Sequence, residues 1–159
     1  MASIYRAGLF KDRVAVVTGG GSGIGLAIAR ELAELGAKVC IASRKQERID
    51  AAKAELSSRG LDVLGTTVDI REVDSVAKMV DFVLEKLGPI DILVNNAGGQ
   101  FPTAAENLAP KGWDAVIRNN LNGTFYVTQA VATKSMIPRK KGRIVNIIAN
   151  IARGFPGMI

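Results

Sequence analysis

The chain has 159 residues, 48% of them hydrophobic, and a formal charge of +6 from 21 Lys and Arg against 15 Asp and Glu. That length suits one domain, residues 1–159, with a sizeable core, and the composition excludes a disordered or repeat chain. With no His and one Cys, Cys40, a disulfide framework is excluded and no metal site is expected.

Arg13 to Thr18 reads as a short, Val-rich buried strand. Thr18-Gly19-Gly20-Gly21-Ser22-Gly23-Ile24-Gly25 follows, with four glycines in five positions. Such a run lets the backbone turn sharply and lets a ligand's phosphates approach the main chain. Ile24, Ala27, Ile28, Leu32 and Leu35 then recur at helical spacing, and Gly36 supplies the stop. Lys38 to Ala42 is a second strand, Arg44 to Arg59 a helix closed by Gly60, and Leu61 to Val68 a third strand. Val73, Val76, Ala77, Val80, Val83, Leu84 and Leu87 trace a helical stripe ended by Gly88-Pro89. Ile90 to Val94 is a fourth strand, followed by a polar loop from about Asn95 to Pro110. Trp113, Val116, Ile117, Val127, Ala130 and Val131 point to one long helix, and Arg143 to Ile148 is a fifth strand after Gly142.

Strands alternating with helices predict an α/β fold: a doubly wound, Rossmann-like parallel sheet with helices on both faces. In such sheets ligands bind beyond the carboxyl ends of the strands. Polar and glycine residues gather at that end after each strand: the glycine run, Ser43-Arg44-Lys45, Asp69-Ile70, Asn95-Asn96-Ala97-Gly98-Gly99 and Ala149-Asn150. The glycine run departs from the usual dinucleotide fingerprint, with three residues between its first two required glycines, Gly19 and Gly23. At the end of the second strand an acid would favour NAD, whereas an Arg accommodates a ribose phosphate. Ser43, Arg44 and Lys45 therefore point to NADP over NAD; the alternative is that Arg44 and Lys45 are solvated residues opening a helix.

Thr18 to Gly25 resembles the cofactor motif of the short-chain dehydrogenase/reductase family. Asn95-Asn96-Ala97-Gly98 resembles its second signature, Asn120 to Phe125 its third, and Gly142 to Ile147 its fifth strand. The resemblance implies cofactor-binding roles for Thr18, Gly19, Gly21, Ser22, Gly23, Ile24, Gly25, Ser43, Arg44, Lys45, Asp69, Ile70, Asn96, Ala97 and Gly98, with Asp69 at the adenine. It implies that Asn120 holds a water in a proton relay; a helix-kinking role is the other reading of that residue. Gly98 to Phe101, Lys111-Gly112-Trp113, Ile41 to Lys45 and Gly154-Phe155-Pro156 are similar to the branch of trans-2-enoyl-CoA and 2,4-dienoyl-CoA reductases. That implies NADP-linked hydride transfer with an enoyl-CoA or carbonyl substrate.

The departures bear on activity. Where the family carries its catalytic Ser, this chain reads Ile148-Ala149. Tyr5 and Tyr126 are followed four residues later by Leu9 and Ala130, so neither forms the family's Tyr-x-x-x-Lys motif. The expectation is an amino-terminal, NADP-binding portion of a reductase, with the catalytic Tyr and Lys and the last strands of the sheet missing. A catalytically inactive dinucleotide-binding fragment and an interaction module using the open sheet edge remain as alternatives.

No apolar run approaches the roughly 18 residues of a membrane span, and Met1 to Phe10 does not read as a signal peptide. A lone Cys fits a reducing compartment, so a cytoplasmic protein without a membrane partner is expected. The charges are spread, and Arg139-Lys140-Lys141 sits in a Pro138/Gly142 turn, so no nucleic-acid partner is expected. A basic balance suits an anionic cofactor or an acyl-CoA substrate. Ile144 to Ile148 would form an apolar sheet edge, which predicts a homo-oligomer or aggregation.

Overall fold

The computed structural model describes residues 4–100 and 103–149. Five strands, β1 (Val14–Thr18), β2 (Lys38–Ser43), β3 (Leu64–Thr67), β4 (Ile92–Asn95) and β5 (Arg143–Asn146), form one sheet in the order β3-β2-β1-β4-β5. Every pairing is parallel, and Val16 lies opposite both Cys40 and Leu93. β1 reads VAVVT and is buried along its whole length, the signature of a strand covered on both faces.

The period of two sorts the strand residues onto two cores. Val14, Val16, Cys40, Ala42 and Leu93 pack with α3 (Val73–Leu87) and α5 (Gly123–Val131) through Val76, Val80, Val83, Val127 and Val131. Ala15, Val17, Val39, Ile41 and Val94 pack with α1 (Gly23–Glu34) and α2 (Gln46–Ser57) through Ala29, Ile49, Ala52 and Leu56. This is the expected doubly wound α/β sheet with helices on both faces. The strand order reverses between β1 and β4, which opens a crevice at their carboxyl ends.

Several elements differ from the sequence reading; the fourth strand runs Ile92–Asn95 rather than Ile90 to Val94, and the fifth stops at Asn146 rather than Ile148. The expected long helix is α4 (Pro110–Ile117) and α5 joined by a π-helical turn at Arg118–Asn122, with a second such turn at Ala132–Met136. Trp113, read as part of its apolar stripe, is 58% exposed, and α4 buries no residue. The helix expected from Arg44 starts at Gln46, because Lys45 stays extended at its N-cap. The third strand is confined to Leu64–Thr67. Asn150, Phe101 and Gly154-Phe155-Pro156 lie outside the described residues.

Candidate functional site

Thr18, the last residue of β1, is 1% exposed and ties the two halves of the crevice together. Its hydroxyl donates to the Val94 carbonyl (3.3 Å) and accepts from the backbone N–H groups of Asn96 and Ala97 (both 3.1 Å). The Asn96 amide returns the link, donating from Nδ2 to the carbonyls of Thr18 (3.0 Å) and Gly19 (3.3 Å). A strand-end hydroxyl thus fixes the loop after β4 against the loop after β1.

The glycines make this closeness possible. Gly19 has φ +68°, and a Cβ there would sit 2.8 Å from Asn96 Nδ2. A Cβ on Gly25 would run into Gly19 O and Asn96 Nδ2. α1 therefore begins pressed against the loop, with Ser22 at its N-cap and no acid in its first turn. Its free N–H groups and positive dipole end face the crevice, an arrangement that favours anions.

The resulting cleft has a volume of about 290 Å³. Ser22, Ile24 and Gly25 form its glycine-loop side, Asn96, Ala97 and Gly98 its β4 side, and Ser43, Arg44 and Arg48 its far end. Among the described residues, two guanidinium groups and no carboxylate line it. A Cβ on Gly21 would approach Arg48 Cβ to 3.1 Å, so this small residue lets the first turn of α2 close over the loop.

A second groove, of about 720 Å³, adjoins the first along Ile24 and Asn96 to Gly98, and runs between α5 and the end of β5. Phe125, Ile147, Ile148 and Ala149 give it an apolar wall, and Asn120 and Thr124 give it polar groups. Asn120 lies in the π-helical turn and clamps the loop after β4: Nδ2 donates to the Gly99 carbonyl (2.7 Å), and Oδ1 accepts from Gly99 N–H (2.9 Å). Asn95 donates to Thr128 Oγ1 and Asn146 Oδ1 (both 2.9 Å), while its own buried Oδ1 has no partner among the described residues.

The profile of the family described as short chain dehydrogenase matches residues 13–158. The chain belongs to the short-chain dehydrogenase family. Among relatives of this short-chain dehydrogenase chain, the peroxisomal 2,4-dienoyl-CoA reductase of Arabidopsis thaliana is 34% identical, over 95% of this chain and 53% of its own length. The structure of the citronellol catabolism dehydrogenase AtuB of Pseudomonas aeruginosa superimposes with a TM-score of 0.91 at 41% identity, covering 99% of this chain and 64% of that one. A gluconate 5-dehydrogenase from Burkholderia cenocepacia, in complex with NADP and tartrate, gives 0.81 at 39% identity, covering 88% and 55%. The chain spans about half the length of the curated relatives it matches.

In this short-chain dehydrogenase chain, Gly19, Ser22, Ile24, Gly25, Ser43, Arg44, Ile70, Asn96, Ala97 and Gly98 come together around the first cleft. Thr18 and Gly21 are buried and do not line it, and Gly23, exposed at φ +56° with open space around it, does not line it either. Lys45 does not line it, and its ammonium pairs with Glu47 (3.2 Å). Asp69 does not line it either: its carboxylate is gripped by Arg71, Oδ1 from Nε at 2.8 Å and Oδ2 from Nη2 at 2.5 Å. The Arg71 hydrogen bond, only partly opposed by burial, holds the Asp69 carboxyl down at about 2. Asn120 faces the second groove rather than the first cleft. Sequence reasoning missed Arg48 and Asn119, which line the cleft. Arg48 lies in the first turn of α2, four residues after Arg44, a second cation close behind the strand end that could have found it. No helix among the described residues is long and apolar enough to cross a membrane.

Proposed function

We propose that this chain is the NADP-binding portion, residues 1–159, of an oxidoreductase that transfers hydride between NADP(H) and an enoyl-CoA or carbonyl substrate. The observation that carries the reading is the pairing of a glycine cradle with Arg44 and Arg48 in a cleft lined by no carboxylate among the described residues. The residues fit the cofactor. Gly19 to Gly25 and the N-terminus of α1 would receive the pyrophosphate, and Ser43, Arg44 and Arg48 the ribose phosphate. Ile70 and Ala97 would flank the adenosine, with Asp69 fixing that wall through Arg71. When bound, NADPH supplies the hydride. NADP in the Burkholderia structure supports the same assignment.

The second groove is the proposed substrate side. Its apolar wall suits an acyl chain, and the Arabidopsis dienoyl-CoA reductase supports a conjugated thioester. Ala149 lines this groove with a methyl where a hydroxyl would orient an ordinary carbonyl. Asn120 holds the loop between cofactor and substrate in place; a proton relay would use its second N–H and the remaining lone pair of Oδ1, because Gly99 engages the others.

Calorimetric titration with NADPH and NADH tests the cofactor reading. Arg44→Gln and Arg48→Gln should each weaken NADPH roughly 10- to 100-fold, the value of a charge-assisted hydrogen bond, and leave NADH little changed. Absence of NADPH binding, or equal losses for both cofactors, would overturn it.

A further inference from the structure

At the opposite, amino-terminal ends of the same strands lies a hollow of about 230 Å³, lined by Phe10, Arg13, Asp91, Ile92, Lys141 and Arg143, with Gly142 at its rim. Asp91 is the sole carboxylate among the described residues of that lining, and its side chain is 11% exposed. Its Oδ2 accepts from Val14 N–H (3.2 Å). Three cations converge on its Oδ1: Arg139 Nη1 at 3.1 Å, Arg13 Nη1 at 3.7 Å and Lys141 Nζ at 4.0 Å. Only Arg139 is at hydrogen-bond distance, and it is further anchored to the carbonyls of Ser135 and Ile90. Arg139 therefore matches the Asp91 charge and is immobilised. Arg13, Lys141 and Arg143 remain as three positive groups around one hollow.

We propose that this hollow is a second ligand site, for a small phosphate monoester bearing an apolar substituent. Three facts select that class. The surplus of positive charge calls for more than one negative charge, and a phosphate monoester carries about −1.5 to −2 at neutral pH. Arg13 and Arg143 carry the planar forks that grip phosphate oxygens, Arg143 through the N–H groups left after its Nη1 donates to the Gly142 carbonyl (2.8 Å), and Lys141 adds a point charge. Phe10 and Ile92 supply an apolar wall for the substituent. The site shares no lining residue with the cofactor cleft. It is independent of the cofactor assignment.

The test is titration of the full chain, saturated with NADPH, with phenyl phosphate, followed by backbone amide NMR. Shifts are expected at Phe10, Ile92, Gly142 and Arg143, while phenol at the same concentrations leaves them in place. Arg143→Gln and Lys141→Gln, both at exposed positions, should each weaken phenyl phosphate roughly tenfold and leave the NADPH titration unchanged. Shifts confined to the glycine loop, an equal response to phenol, or unchanged affinity in both variants would overturn the proposal. So would an acidic peptide that shifts these amides when phenyl phosphate does not, because that would make the hollow a protein-docking surface.

Discussion

Replacing Thr18 by Val removes one hydroxyl and keeps the side-chain volume. The lost oxygen serves three groups: it accepts from Asn96 N–H and Ala97 N–H, and donates to Val94 O. An orphaned buried N–H costs about 1–3 kcal/mol. Asn96 and Ala97 are only part-buried, so water can reach them, and the sum for Thr18→Val should be about 2–3 kcal/mol. Val is at home at a strand end that already reads VAVVT, so backbone propensity adds little. Thr18→Ser is the control: it keeps the oxygen and loses one buried methyl, at a cost of about 1 kcal/mol. Urea unfolding of the three proteins gives the comparison, with the slope checked for constancy. Because Asn96 and Ala97 also line the cleft, NADPH should bind Thr18→Val more weakly than Thr18→Ser. If Thr18→Val proves as stable as Thr18→Ser or more so, the hydroxyl does not hold the two loops together and the account of the site fails.

Other outcomes follow from features already described. Cys40 is fully buried, and desolvation, slightly countered by Lys53, pushes its thiol up to about 12; a thiol reagent should label it only in denaturant, and rapid native labelling would contradict the buried β2. Asp69 sits at about 2 against an ordinary 3.8, so its pair with Arg71 stabilises the fold fully above the ordinary value and is lost as pH falls towards 2. In Arg71→Gln the Asp69 carboxyl, followed by NMR, should rise towards that ordinary value, with a loss of about 1 kcal/mol at neutral pH after allowance for solvent screening; an Asp69 still titrating near 2 would show another cause. Light scattering should find species larger than one chain through β5, where Val145 is 48% exposed, and Val145→Lys should lower the mass; a monomeric unsubstituted chain would count against edge pairing.

The strands were legible because two-sided burial needs continuous apolar runs, and β1 is one. Helix ends were legible where glycine closes them, as Gly88 does at φ +88°. The π-helical turn at Arg118–Asn122 was not, since one extra residue in a turn breaks the spacing on which a helix is recognised. Trp113 misled for a related reason: its size suggests a core, yet it lies on a helix that buries nothing. The cleft itself was legible wherever a residue follows a strand end, because parallel topology brings those ends together. What escaped depends on side-chain reach: Arg48 arrives from a helix, Lys45 turns to Glu47, and Asp69 is captured two residues on by Arg71. The charge cluster on Asp91 draws on Arg13, Arg139 and Lys141; the Arg139-Lys140-Lys141 run was visible, but no local pattern could have joined it to Arg13 and Asp91.

The sheet order also sets a timetable. β1 is flanked by β2, its near neighbour in the chain, and by β4, whose loop meets Thr18 across 78 residues. A chain growing from its amino terminus can pair β1 with β2 and β3 early, but its other edge stays bare until Ile92–Asn95 has been made. Closing so long a loop is slow, and the half-sheet must wait with an apolar, unpaired β1 exposed. The glycine loop, although written in the first 25 residues, meets its partner loop only by the hundredth or so, which makes the interval between them the vulnerable stage of this protein's synthesis.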